Sequence, residues 1–268
     1  MFKRVIAALA SIFLAISACG PEPTPLPVDL PAPTSTPATA AETRTYTLAI
    51  EARLLPLIPE ADLRAATRSS EVVRVETALD SQTNAAVDLL VGLGDFPGST
   101  QTRLAIPLWL GINSETAPLD QDVLAARLYE MLNTIDLREA LPGAVQSSLI
   151  ATVDPFQIRN DLANSGFPDG FALSLVVNNA PGAEAIAGAL QHYGIDVRIA
   201  PHTNGTAYSD SALILFIDVH DHAQMTQRFG NAAIVELARL PVSYRAAPGL
   251  TIALTENGWP LLIRESLD

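Results

Sequence analysis

The chain has 268 residues, 49% of them hydrophobic, and a formal charge of −13 with Lys3 as its only lysine. This length and apolar content suit an α/β protein of one or two domains with a sizeable core. So acidic a surface repels phosphate, which argues against a nucleic-acid partner.

The N-terminus reads as a targeting signal. Lys3 and Arg4 precede an apolar run from Val5 to Ile16 that is too short to span a membrane. The run ends in Ile16-Ser17-Ala18-Cys19, small residues before the sole cysteine of the chain. This resembles a lipobox, so residues 1–19 are expected to be a lipoprotein signal peptide with Cys19 as the lipidation site and membrane anchor. A single cysteine allows no internal disulfide. Residues 20–43 hold seven prolines among many Thr and Ala residues. They cannot bury a core and read as an extended linker, reaching roughly 70 Å at most.

The globular part is expected over 44–268. Tyr46 to Ala52 alternates as a strand, Pro59 to Ser69 reads as a helix and Glu71 to Thr77 as a second strand. A short helix over Ser81 to Ala86 and a buried strand over Val87 to Leu93 complete a βαβαβ start to a doubly wound sheet. Gly92-Leu93-Gly94-Asp95 follows the third strand. Its spacing is not a dinucleotide fingerprint, and no cofactor is expected. Ligands in open α/β sheets gather beyond the carboxyl ends of strands, which makes Asp95 and Phe96 candidates. Leu104 to Ile112 is a further strand, and Leu119 to Leu132 and Leu137 to Val145 read as helices.

The best-marked stretch runs from Val153 to Ile199. Asp154 is a side-chain N-cap with Pro155 at the first helical position. Phe156, Ile158 and Leu162 give this helix its apolar side, and Gly166 closes it. Pro168-Asp169-Gly170 is a turn into the buried strand Phe171 to Val177. Asn179 and Pro181 open a second helix with Ile186, Leu190 and Tyr193 inward, Gly194 ends it, and Ile195 to Ile199 alternates as a strand. The two strands and their helix form a parallel βαβ unit. A polar loop follows at Pro201 to Asp210, then a buried strand at Ala212 to Ile217. Asp221 caps a helix toward Phe229, Ala232 to Leu240 is another helix, and Val242 to Arg245 and Leu250 to Leu254 are strands. Glu256-Asn257-Gly258 is a turn.

Enzyme readings find little purchase. Asp218, His220 and His222, with His202 nearby, share one side of an extended segment as metal ligands would, yet a strand end plus helix cap explains them and no metal site is expected. No Gly-x-Ser-x-Gly elbow occurs. Asp154 and Asp169 are explained as cap and turn rather than an acid–base pair, so no catalytic residue is assigned.

Several segments together carry a family resemblance. Val153-Asp154-Pro155, Ser165-Gly166-Phe167-Pro168-Asp169-Gly170-Phe171 and Gly194-Ile195-Asp196-Val197 resemble, in order, a helix, turn and strand of family 5 extracellular solute-binding proteins, which serve peptide and nickel importers. Trp109-Leu110-Gly111-Ile112-Asn113, Pro118-Leu119-Asp120, Arg127 and Ile135 to Leu141 are similar to the family's hinge strand and following helices. Leu240-Pro241-Val242-Ser243-Tyr244-Arg245 resembles the return to the first lobe. The resemblance implies a type 2 periplasmic-binding-protein-like α/β fold, two lobes with mixed, mostly parallel sheets. Lobe I would take 44–110 plus 241–268 and lobe II 111–240. Asp95 and Trp109 would meet a ligand from the first lobe, and Asn113 and Asp218 from the second, with His220 at the rim. It implies a membrane-anchored, extracytoplasmic, monomeric lipoprotein that captures a small, possibly peptide-like ligand for an ABC permease. The alternative is a degenerate non-transport binding or sensing lipoprotein of the same fold. Two departures stand out: the domain that the family inserts in its first lobe is missing, and Phe216-Ile217-Asp218 lacks the tryptophan often found there.

Overall fold

The computed structural model describes residues 45–68, 70–76, 78, 87–147, 152–203, 211–220, 223–225 and 233–265. Cys19, the linker over 20–43, the helix expected over 81–86, residues 204–210 of the polar loop, and all but 223–225 of the helix expected from Asp221 to Phe229 lie outside these residues. Chain contacts gather residues 43–268 into one compact unit.

The first flank of the sheet is built as a parallel unit. Strand β1 (Tyr46–Glu51) leads through helix α1 (Glu60–Ala66) to β2 (Ser70–Val75), and then to β3 (Leu89–Leu93). Both β2 and β3 pair with β1 in parallel. With a neighbour on each side, β1 buries both faces: Leu48, Ala49 and Ile50 are all inaccessible to solvent.

Two long strands form the centre. β4 (Thr100–Ile112) and β9 (Ala233–Ala246) run antiparallel along most of their length. Between them in sequence come α2 (Asp122–Leu132), the two-residue β5 (Val145–Gln146), α3 (Pro155–Asn164), β6 (Phe171–Asn178), α4 (Ala183–Gln191), β7 (Ile195–Pro201) and β8 (Leu213–Ile217). The order across the sheet is β2-β1-β3-β9-β4-β8-β6-β7, with β5 beside β9. The second flank, β8-β6-β7, is parallel within itself. Parallel pairing therefore fills both flanks, and antiparallel pairing joins them. A separate hairpin of β10 (Leu250–Ala253) and β11 (Leu262–Glu265) follows, pinned to α1 where the buried Asp62 carboxylate accepts from Thr255 Oγ1 at 2.9 Å and Asn257 Nδ2 at 3.0 Å.

Several local expectations are met at the level of atoms. Asp154 Oδ1 accepts from Phe156 N at 2.9 Å, Pro155 is the first residue of α3, and Gly166 (φ +94°) lies beyond its end. Others are corrected. The described part of Ala232 to Leu240, read as a helix, and Val242 to Arg245, read as a separate strand, belong to the single strand β9 (Ala233–Ala246). Its apolar residues Ile234, Val235, Leu237, Ala238 and Leu240 fall at helical spacing only because a central strand is buried on both faces and loses its alternation. Leu137 to Val145 is not a helix. It makes one turn, with Leu141 N donating to Leu137 O at 2.8 Å, and stops because Pro142 disfavours helical backbone at Leu141 and Gly143 (φ +81°) reverses the chain. Phe156 is 71% exposed, so the apolar docking of α3 falls to Ile158 and Leu162, beside the ion pair of Asp161 with Arg127 of α2 at 2.8 Å.

The start of the second βαβ unit depends on two glycines in backbone contact. A Cβ on Gly170 (φ +81°) would lie 1.8 Å from Gly194 O, whereas one on Gly166 would meet nothing within 4 Å. Gly170→Ala is therefore expected to destabilise the fold by about 3 kcal/mol and Gly166→Ala by only about 1–2 kcal/mol, the cost of left-handed backbone alone. Urea unfolding of both variants checks the difference.

Candidate functional site

A cleft of about 520 Å³ opens where the two flanks face each other. One wall comes from the carboxyl ends of β1 and β3, through Glu51, Arg53, Leu93, Gly94 and Asp95. The other comes from the carboxyl ends of β6 and β7 and the first turn of α4, including Val177, Ile199, Pro201 and Glu184. Leu240 of β9 and the turn Ala140–Pro142 complete the lining. Parallel strands leave the ends of their main chains unpaired at one edge, and both flanks turn that edge to the same space. The volume suits a small molecule, for which sites run roughly 300–1,000 Å³.

The walls are held by specific contacts. Glu51, the last residue of β1, is only 2% exposed. Its Oε2 accepts from Leu93 N at 3.0 Å and its Oε1 from Arg53 Nη1 at 3.1 Å. Burial pushes the Glu51 carboxyl above its ordinary range, and the Leu93 amide and Arg53 only partly offset this. Beyond β3, Gly94 N donates to Pro241 O at 2.8 Å and Asp95 N to Pro142 O at 2.7 Å. Gly94 adopts φ +78°, and a Cβ there would stand 2.8 Å from Pro142 O, so a glycine is required for this close approach. Asp95 itself is exposed to the cleft, with Oδ1 accepting from Ser99 Oγ at 2.9 Å. Asn179, in left-handed backbone (φ +56°) after β6, donates from Nδ2 to Arg53 O at 3.0 Å, joining the two walls.

Of the five ligand-contact residues expected from the sequence, Asp95 lines the cleft and the other four do not. Trp109 is fully buried on the face of β4 opposite Leu108 and Leu110, packed with Ile214, Phe216, Met225 and Ile234. Asn113 sits just past the far end of β4, where its backbone N donates to Ala212 O at 2.9 Å and its Oδ1 accepts from Glu115 N at 3.1 Å. Asp218 does stand at the carboxyl end of β8, its backbone N donating to Pro107 O, but its buried carboxylate is engaged by the backbone N and ring Nδ1 of His220. Phe96 is buried with Ala49, Val75, Ala78 and Leu90. No group of three or more His, Cys, Asp or Glu side chains able to hold a metal occurs among the described residues.

Sequence reasoning misses Glu51, Arg53, Leu141 and Glu184, which belong to strand ends and helix starts and carry no motif. The available signal is positional: the rule that singles out Asp95 after β3 applies equally to Glu51 and Arg53 after β1.

No family model and no curated protein matches the sequence. Solved structures do match in fold. A substrate-binding protein from Microbacterium hydrocarbonoxydans complexed with 4-hydroxybenzoate hydrazide aligns with a TM-score of 0.51 at 12% identity, over 74% of this chain and 59% of that one. The fold is periplasmic-binding-protein-like. MoaA from A. tumefaciens in complex with mannopinic acid gives 0.50 at 16% identity, covering 72% and 58%. The ABC transporter-associated periplasmic binding protein DppA from Helicobacter pylori, with the peptide STSA, gives 0.50 at 13%, covering 68% and 53%. These are binding proteins of the kind that the Asp154–Pro155 and Gly166–Phe171 segments resemble. The chain spans little more than half the length of the structures it matches.

The raised Glu51 carboxyl has a pH consequence. A carboxyl whose pKa is higher in the folded than in the unfolded chain favours the fold fully below its ordinary value of 4.5, and that gain is lost as pH rises through the folded value. Glu51→Gln removes the titration. Wild type should therefore gain stability relative to Glu51→Gln as pH falls from neutral toward 4.5, measured by urea unfolding at successive pH values.

Proposed function

We propose that the chain is a membrane-anchored solute-binding lipoprotein that captures a small ligand in this cleft and delivers it to an ABC importer. The observation that carries the reading is the cleft itself, whose walls come from the carboxyl ends of two separate parallel units. A ligand there touches both flanks at once. Among the described strands only β4 and β9 run from one flank to the other, so one flank can hinge against the other, with lobes over 44–110 plus 241–268 and over 111–240. The binding proteins that share the fold support the reading, being substrate- or peptide-binding by description. The ligand of this chain, the permease and the anchor are inferred, the last from Lys3, Arg4, the apolar run and Cys19.

Two measurements test it. Native mass spectrometry of gently purified protein is expected to show a co-purified small molecule, and adding that molecule back should raise the melting temperature. At about a hundred times its dissociation constant the gain is about 2.7 kcal/mol. If no molecule co-purifies and no peptide, amino acid, sugar or metal in a broad panel raises the melting temperature, solute capture is wrong. Separately, Cys19→Ser should move the protein from the membrane to the soluble fraction; a variant that stays membrane-bound removes the anchor.

A further inference from the structure

The charges around the cleft do not balance, and their placement narrows the ligand. Three carboxylates line it, Glu51, Asp95 and Glu184, against the single guanidinium of Arg53. Glu51 and Arg53 satisfy each other at 3.1 Å, and Glu51 also holds the Leu93 amide. That pair is part of the wall. Asp95 and Glu184 remain, both exposed, and neither forms an ion pair with any described residue. They stand on opposite walls, Asp95 after β3 and Glu184 in the first turn of α4. Between them the surface is apolar, formed by Leu93, Leu141, Val177, Ile199 and Leu240.

We infer that the cleft selects ligands carrying a protonated primary amine or a guanidinium on a compact apolar body, with Asp95 and Glu184 holding the cation from opposite walls. The inference rests on the solute-capture reading and specifies its ligand. An anion entering this space meets two carboxylates with no cation beside them, and is repelled. A neutral apolar molecule partly desolvates both carboxylates and offers neither a compensating charge. A primary ammonium or guanidinium offers N–H donors to carboxylate oxygens, and such charge-assisted hydrogen bonds are among the strongest available. A quaternary ammonium has no N–H to donate and is ordinarily held by aromatic rings. No Phe, Tyr, Trp or His is among the lining residues. The chain's formal charge of −13 raises the local concentration of cations and so favours their encounter with the cleft.

The test uses the full-length chain with Cys19→Ser and four probes of one shape: hexylamine, hexanoate, hexanol and hexyltrimethylammonium. Binding is read by calorimetric titration and by melting temperature. Hexylamine is expected to bind, more weakly as salt rises, and at least about tenfold more tightly than hexyltrimethylammonium, as loss of a charge-assisted hydrogen bond implies. Hexanoate and hexanol are expected to give no shift. Asp95→Asn and Glu184→Gln should each weaken hexylamine by about tenfold or more. Both side chains are exposed, so the isosteric amides keep the unliganded melting temperature, which is measured alongside. Equal or tighter binding of hexanoate, hexanol or hexyltrimethylammonium overturns the inference while leaving capture standing. So does hexylamine affinity unchanged in the double variant. Silence from all four probes also overturns it, and the co-purified-ligand experiment then decides solute capture by itself.

Discussion

The antiparallel pairing of β4 with β9 is the constraint from which the rest follows. Residues far apart in sequence, Thr100–Ile112 and Ala233–Ala246, lie side by side, and their pairing is what attaches one flank to the other. On one side β9 pairs β3 from Val242 to Ala246, and on the other β4 pairs β8 from Leu108 to Ile112. Between those two limits β9 exchanges β3 for the short β5, which pairs Arg239 and Ala238, and β4 gains β8 at Leu108. Two prolines sit at this exchange: Pro107 pairs in register with Arg239, and Pro241 with Ala105. A proline removes a ladder donor, which a central strand tolerates only where pairing is interrupted. Their carbonyls are used instead, Pro107 O by Asp218 N and Pro241 O by Gly94 N. The same residues that interrupt the ladder thus fix the ends of β8 and β3, and the second of these bonds sets the turn that presents Asp95.

That arrangement decides where chemistry can occur. Two parallel units attached to opposite sides of an antiparallel pair bring their carboxyl ends to one shared space. Strand ends need partners for their last polar groups, and Glu51 supplies one by accepting the Leu93 amide. Placing an acid in so buried a position is unfavourable, as its raised pKa reflects, and Arg53 restores part of the balance. The result is a wall whose own charges are matched, which leaves Asp95 and Glu184 as the carboxylates that a ligand would meet in the proposed capture.

How much of this is legible in the sequence depends on how local the determinant is. The cap at Asp154, the stop at Gly166, the turn at Pro168–Gly170 and the left-handed Gly194 rely on one or two residues and their own backbone, and the sequence states them directly. The strand β9 is not legible. Its apolar residues satisfy helical spacing as well as a doubly buried strand, and only the pairing with β4, and with β5 at Ala238 and Arg239, decides between them. Leu137 to Val145 misleads for the opposite reason: the apolar spacing suits a helix, but the local effect of Pro142 and Gly143 prevails over it. Trp109 shows the limit for site residues. The residue belongs to a strand that passes the cleft, yet alternation sends its side chain to the other face of the sheet, into contact with Phe216 and Met225. Sequence position sets the strand and its level, and the face is fixed by which side the main core occupies.

The cleft has a further property that a single-wall site would lack. A ligand shifts an equilibrium between open and closed arrangements only by the difference in its affinity for the two. Groups confined to one wall bind equally well however the other wall stands. In the proposed capture, Asp95 and Glu184 belong to different walls, so a cation reaches both only when those walls are close. The hydrogen bond from Asn179 Nδ2 to Arg53 O joins the same walls, at an exposed position where water competes for the donor. Such a bond contributes little alone, about 0.5–1.5 kcal/mol. It lowers the cost of bringing the walls together without fixing them. In the proposed capture the ligand would then supply most of the free energy of closure, so that binding, rather than the unliganded fold, would decide whether the cleft is closed.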